Sequence, residues 1–207
     1  MLAAHHLESA ALLFEKGDII VYSGSYGETE LALVSAGFGR GAVHDFVREA
    51  SRRGAAEIVY IGACSSSDGR IALRTVVLAE GGSGRLLERA ERAAAGCGIP
   101  VVVKAVADAS GAACCDKSSA SESGASVVGE GSIFDDVTTD VDSGIFDDVT
   151  AGFYELAAAG GSDALAVLTV AENTRTGECM EEHERRSRFY AAARLVFEIA
   201  AGNPEWS

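Results

Sequence analysis

The chain has 207 residues, 48% of them hydrophobic, two prolines and a formal net charge of −14. Its length and composition suit a chain with one sizeable core, and no run reaches the roughly 18 apolar residues that a membrane-spanning helix needs. The acidic balance lacks the basic face that neutralises phosphates, so nucleic acid is not an expected partner, whereas a small anionic ligand is not excluded.

The start, Met1-Leu2-Ala3-Ala4-His5-His6, has no basic segment followed by an apolar one and does not read as a secretory signal. The five cysteines (Cys64, Cys97, Cys114, Cys115 and Cys179) are odd in number and lack C-x-x-C spacing. Reduced thiols in a cytoplasmic protein fit that pattern, and no metal site is expected. Arginines cluster at Arg48, Arg52 and Arg53 and again from Arg185 to Arg188. Both groups fall on predicted helices among glutamates, as solvated helix faces do.

In chain order, residues 2–15 give a weak helical or irregular pattern. Ile19-Ile20-Val21-Tyr22 and Leu31-Ala32-Leu33-Val34, separated by Ser23-Gly24 and further turn residues, predict a β-hairpin. The second strand runs into Gly37-Phe38-Gly39-Arg40-Gly41, and Val43, Phe46, Val47 and Ala50 then recur at helical spacing. Glycines at such a strand-to-helix turn let backbone N–H groups approach an anion, although this G-x-G-x-G lacks the spacing of a dinucleotide fingerprint and the Lys-Ser/Thr of a P-loop.

Glu57 to Cys64 predicts a buried strand ending in small residues, and Thr75 to Ala79 a short one. A helix through Leu86, Leu87, Ala90 and Ala94 stops at Gly96 to Gly98, and Ile99 to Val106 returns as strand. From about 109 to 131 the chain turns to Ser, Ala, Gly and Cys, a composition that buries too little to order itself and predicts a long loop. Ile133-Phe134-Asp135-Asp136-Val137-Thr138 is then repeated as Ile145-Phe146-Asp147-Asp148-Val149-Thr150. Two copies are too few for a solenoid. The second leads directly into the helix Ala151-Gly152-Phe153-Tyr154, so it is taken as the structural copy.

The rest of the chain is organised around Ala164-Leu165-Ala166-Val167-Leu168-Thr169-Val170-Ala171, an uncharged run that stops at Glu172-Asn173-Thr174-Arg175. Such a run suits a strand buried on both faces of a sheet, and ligands in open α/β sheets bind beyond the carboxyl ends of such strands. Glu172 is therefore a candidate catalytic acid. A last helix from about Met180 to Ala201 carries Phe189, Ala192, Ala193, Val196 and Ile199 on one stripe, with Arg185 toward the Glu172 loop. Alternating strands and helices predict an α/β fold in three layers, a twisted, mostly parallel mixed sheet between helices, as a single domain over 1–207.

Thr169-Val170-Ala171-Glu172-Asn173-Thr174-Arg175-Thr176, then Glu184-Arg185, resembles the T-V-S-D-H-x-x-T and E-R signature of the class I nucleoside phosphorylases. Ser23-Gly24-Ser25-Tyr26-Gly27, Gly37-Phe38-Gly39, Ile58 to Cys64 and Ala151-Gly152-Phe153-Tyr154 are similar, in order, to that family's hairpin, G-x-G turn, I-I-R-x-G-S-C strand and the helix after its M-E pair. The resemblance covers roughly 17–107 and 144–202. It implies cleavage of the N-glycosidic bond of a purine nucleoside to free base and ribose 1-phosphate in a homo-oligomer. Phosphate would be the co-substrate, and no cofactor or metal is needed. It places the acid at Glu172, its arginine at Arg185, and substrate contacts at Gly37, Phe38, Gly39, Ala63, Cys64 and either Asp148 or Val149.

This sequence departs from the family pattern at several of those places. The phosphate-binding G-D-P-x-R loop belongs before the chain begins, Tyr60 and Ala63 stand where the family has Arg and Ser, and Val149 stands at the ribose-binding Glu unless Asp148 takes that place. The alternatives implied are a nucleosidase that uses water, or a non-catalytic binding or assembly subunit on the same fold.

Overall fold

The computed structural model describes residues 6–17, 19–36, 39–108, 144–187 and 189–202, with backbone alone at 182, 186 and 187. The low-complexity stretch at about 109–131 and the first copy of the repeat lie outside the described residues.

Three strands come first, β1 (Glu8–Lys16), β2 (Ile19–Tyr26) and β3 (Thr29–Ala36), and form an antiparallel sheet in the order β1-β2-β3. The expected helical or irregular start is therefore a strand. The hairpin is present, but its turn is at Gly27 (φ 57°) rather than at Ser23-Gly24. Gly24 sits inside β2 because β1 enters close against it. A Cβ there would lie 2.9 Å from the Glu8 carbonyl oxygen and 3.0 Å from Leu7 Cβ.

The second sheet has seven strands. Helix α1 (Arg40–Arg52) precedes β4 (Glu57–Ser66); β5 (Val76–Ala79), α2 (Gly84–Cys97), β6 (Val101–Lys104) and β7 (Val106–Ala107) follow. After the undescribed stretch come β8 (Ile145–Phe146), α3 (Thr150–Ala159), β9 (Asp163–Asn173), β10 (Glu178–Cys179), α4 (Glu182–Ser187) and α5 (Tyr190–Ala201). The strand order is β6-β5-β9-β4-β8-β7, with β10 added to β9. β4–β9, β5–β6 and β7–β8 are parallel, while β5–β9 and β4–β8 are antiparallel, so the sheet is mixed.

Strand β9 is buried along almost its whole length, as its uncharged run predicts, because helices cover both faces. On one face α1 and α3 pack Val47, Phe153 and Ala157 against Cys64, Leu168 and Val170. On the other, α2 and α5 pack Leu86, Ala90, Leu195 and Ile199 against Val76, Leu165 and Val167. These are the three layers expected. At the N-terminal ends of β4 and β9, paired at Glu57↔Asp163, Arg85 reaches Glu57 (2.8 Å) and Asp163 (2.6 Å) and Arg89 also binds Glu57. The predicted single last helix is two, α4 and α5, and Tyr26 ties the three-stranded sheet to α5 by stacking on Phe197 and donating to Glu198 Oε1 at 3.2 Å.

Candidate active site

The site is set by an irregularity at the carboxyl end of β9. Up to Cys64↔Val170 the β4–β9 ladder is regular; the next partners are Ser65↔Glu172, so Ala171 is an extra residue on β9. A β-bulge of this kind shifts the phase of a strand by one and re-aims the side chains that follow. Without it, Glu172 would share the face of Leu168 and Val170 and point into the core beneath α1 and α3. With it, Glu172 turns to the opposite face, which carries Ala63, Ser65 and Thr169. There its carboxylate, 6% exposed, accepts from Ser65 Oγ at 3.4 Å.

β10 extends the same arrangement. Cys179 pairs with Glu172 and therefore stands on its face, and the Met180 N–H donates to the Ala171 carbonyl at 2.8 Å, holding the bulge. The half-buried Arg185 folds back from α4 onto this strand. Its Nε donates to the Met180 carbonyl at 3.1 Å and its Nη2 to Cys179 Sγ. Its neighbour Glu184 instead turns away to Arg74, at 2.5 Å. The sequence-predicted pair Glu172 and Arg185 is thus brought to one rim of the sheet, with Cys179 next to both.

The turn between β9 and β10 is held by Asn173, which is 1% exposed. Its amide nitrogen donates to the Asp68 and Ile71 carbonyls, each at 2.9 Å, and its oxygen accepts from the Arg175 and Thr176 N–H groups, each at 3.1 Å. This side chain ties the loop after β4 to the loop after β9, so the backbone that carries Glu172 is braced from two sides.

On the floor of the site Ala63 is exposed and Ile61, one pleat back, is 37% exposed, so α5 leaves this end of the sheet face uncovered. Ala63 offers no donor. Thr169, its ladder partner, is 2% exposed, and its hydroxyl has no hydrogen-bond partner among the described residues.

The remaining predicted contacts fall on the other side. Cys64 is buried in the core below α1 and α3, its thiol pushed up to about 12 by burial and by the nearby Asp147 carboxylate. Val149 is buried in the same cluster, at the cap of α3, and cannot hold ribose hydroxyls with its isopropyl group. Asp148 is exposed. Gly39 is the residue before α1 (φ 89°), where Arg40 faces Asp108 at 3.7 Å; Gly37 and Phe38 lie outside the described residues.

Sequence reasoning missed Ser65, Thr169 and Cys179, whose positions follow only once the bulge and the β10 pairing are known. It also passed over Asp147. That carboxylate accepts from the N–H groups of Val149 (3.2 Å) and Thr150 (2.8 Å) and from Thr150 Oγ1 (2.6 Å), and so caps α3. Burial raises its pKa, and it and Asp148 add to burial in raising that of the Tyr60 phenol. Tyr60 stands where the resemblance puts a phosphate-binding Arg, so a neutral phenol beside two carboxylates replaces a cation. An Asp three residues before Thr150, where α3 begins, was the available signal.

Comparison with known proteins agrees with this architecture. No family model matches the chain. A DeoD-type purine nucleoside phosphorylase of Psychromonas ingrahamii is 25% identical over 209 aligned positions, 91% of this chain and 82% of that one. Another of the same description, from Caldanaerobacter subterraneus subsp. tengcongensis, is 45% identical over 51 residues; that match spans 25% of this chain and 22% of the relative. Among solved structures, the purine nucleoside phosphorylase of Toxoplasma gondii in complex with immucillin-H superposes with a TM-score of 0.72 at 13% identity, over 97% of this chain and 85% of that one.

The layers and the mixed sheet are those of the nucleoside phosphorylases. This chain is a divergent protein of nucleoside phosphorylase-like fold, as its C-terminal signature led one to expect.

Among the described residues no helix is long and apolar enough to cross a membrane, and no cluster of His, Cys, Asp and Glu could hold a metal ion.

Proposed function

We propose that this protein cleaves the N-glycosidic bond of a purine nucleoside, with Glu172 as the acid at the departing base. The observation that carries this is the bulge at Ala171, which turns a buried carboxyl out of the core and onto the open sheet face beside Ser65, Cys179 and Arg185. As the bond from the anomeric carbon to the base nitrogen breaks, its electron pair goes to the base and the sugar becomes oxocarbenium-like. A carboxylic acid that protonates the base in that step lowers the barrier by general acid catalysis, typically by about 10²–10⁴-fold. Arg185 acts as a positioning residue: it packs Cys179 and the Met180 carbonyl against the strand that carries Glu172. A phosphate oxygen would then close the new bond to carbon, giving ribose 1-phosphate.

One observation favours a second acceptor. Tyr60 and Ala63 supply no charged donor where the resemblance puts phosphate ligands, and Asp147 and Asp148 make the surroundings of Tyr60 electronegative. A dianion is held best by charge-assisted donors, whereas water needs none. Release of free purine from inosine or adenosine, followed with and without phosphate, separates the two. Release only with phosphate supports phosphorolysis, release without it supports hydrolysis, and no release under either condition contradicts both. Glu172→Gln should lower whichever rate is seen by at least about a hundredfold; unchanged turnover removes Glu172 from the chemistry.

A further inference from the structure

Among the described residues two that are not glycine adopt a positive φ, Ser9 and Arg74. Arg74, at φ 69°, stands just before β5 in a region that side chains rarely enter and that glycine takes up freely. Strain of this kind persists only where the surroundings over-determine it, and at Arg74 they do so from two directions. Its N–H donates to the Val170 carbonyl at 2.8 Å, and the Val170 N–H donates to the Thr75 carbonyl at 3.0 Å. That pair of bonds fixes β9 at the residue before the bulge. Its side chain reaches α4, where Nη2 donates to Glu184 Oε1 at 2.5 Å.

Glu184 is the residue before Arg185, and its side chain is only 15% exposed. A charge-assisted hydrogen bond to a mostly buried carboxylate is stronger than a neutral one and is screened less than a surface pair. Packing does not fix this part of the molecule in the same way. Leu73, Ile99, Pro100 and Ala191 help to line a cavity of about 300 Å³ between the loop before β5, the start of β6 and the start of α5. The beginning of α5 is therefore not pressed against the loop, and the ion pair ties α4 to it instead.

We infer that Arg74 is a positioning residue, which sets the place of Arg185 relative to Glu172. Its backbone holds the strand that carries the acid, and its guanidinium, through Glu184, holds the helix that carries Arg185. One residue thus fixes the two groups against each other across the rim. Glycine would relieve the backbone at this position but could not make the tether, which accounts for an arginine in a left-handed conformation. The bearing of the tether on turnover rests on the glycosidic reading above; the tether itself does not.

Amide hydrogen exchange in α4, read by mass spectrometry on the full chain, tests the tether, and kcat and KM for base release test its consequence. Arg74→Gly suits the backbone and removes the guanidinium, so it should speed exchange in α4 by about tenfold. It should also lower kcat by at least about tenfold with KM within about threefold, because the acid acts in bond cleavage and not in binding. Glu184→Gln should act in the same direction. Arg74→Gly combined with Glu184→Gln should be no worse than Arg74→Gly alone, since the two remove one shared contact. Arg74→Lys returns a cation and should recover most of both losses. Exchange in α4 that Arg74→Gly leaves unchanged overturns the inference. So does a double variant whose loss is the product of the two single losses, or an Arg74→Lys protein as impaired as Arg74→Gly. Exchange needs no substrate, so a wild-type chain that releases no base would contradict the cleavage reading alone, and exchange would still decide the tether.

Discussion

The two faces of the central sheet meet the same problem, polar and ionisable side chains near the carboxyl ends of β4 and β9, and solve it differently. Beneath α1 and α3 the groups are packed into the core or bound by neighbouring donors. The Cys64 thiol is pushed up to about 12, the Asp147 carboxyl is bound by three donors at the cap of α3, and Tyr60 lies against Phe153. On the face shared by Ala63 and Thr169 the packing stops short. Glu172 receives a long hydrogen bond, the Thr169 hydroxyl has no partner among the described residues, and the floor at Ala63 is open. One inserted residue, Ala171, decides which of these environments Glu172 enters. The lesson is that the face a carboxyl occupies can depend on a ladder irregularity and not on the residue type.

The comparison can be broken first by putting the carboxyl on the wrong face. Val170→Asp places an unpaired charge among Leu168, Phe153 and Cys64 and should cost about 3–5 kcal/mol in denaturant unfolding. Glu172→Gln, which keeps the side chain's shape and its ability to accept from Ser65 Oγ, should change stability by less than about 1 kcal/mol. Equal costs would erase the distinction between the faces.

Next in size is the cap. Asp147→Ala should lose about 1 kcal/mol, and Asp147→Asn only a few tenths, since asparagine caps as well. The pH dependence has a definite sign. Burial raises the folded pKa of Asp147 above its ordinary value of 3.8, so the native state holds the proton longer than the unfolded chain. Its contribution to stability is therefore largest at acid pH and declines as pH rises from 3.8 through the raised value. Asp147→Asn should remove that decline, which urea titrations at several pH values would detect.

Thr169→Val sharpens the comparison from the open side. It removes a buried hydroxyl without a partner and keeps the shape, so it should raise the midpoint of unfolding by an amount worth about 1 kcal/mol. A loss of stability would mean that the hydroxyl is paired in solution. The smallest effect is on thiol chemistry. Of Cys64, Cys97 and Cys179, the exposed Cys179 should label first with iodoacetamide and the buried Cys64 last. Mass-spectrometric mapping over time would show the order.

Much of the core was legible from sequence, because the uncharged run from Ala164 to Ala171 can be satisfied only by burial on both faces. The helices α1 and α2 followed from their apolar stripes. β1 was not legible: a strand exposed throughout has no buried face and so no alternation, and its leucines and alanines imitate a weak helix. The break between α4 and α5 has no proline or glycine to announce it. For the site, residue chemistry pointed to Glu172 and Arg185, while Ser65, Thr169 and Cys179 needed the bulge and the β10 register, which local sequence does not encode. Cys64 and Val149 were named through resemblance, and their side chains are spent on packing.

The central claim is a matter of which face the acid occupies, and a crystal structure of the protein soaked with a purine nucleoside tests it most directly. The account predicts the base over Ala63 and Thr169, with a ring nitrogen within hydrogen-bond distance of the Glu172 carboxyl and the Arg185 side chain on the same rim. A regular β4–β9 ladder with Glu172 turned under α1 and α3, or a nucleoside bound away from that rim, would contradict it.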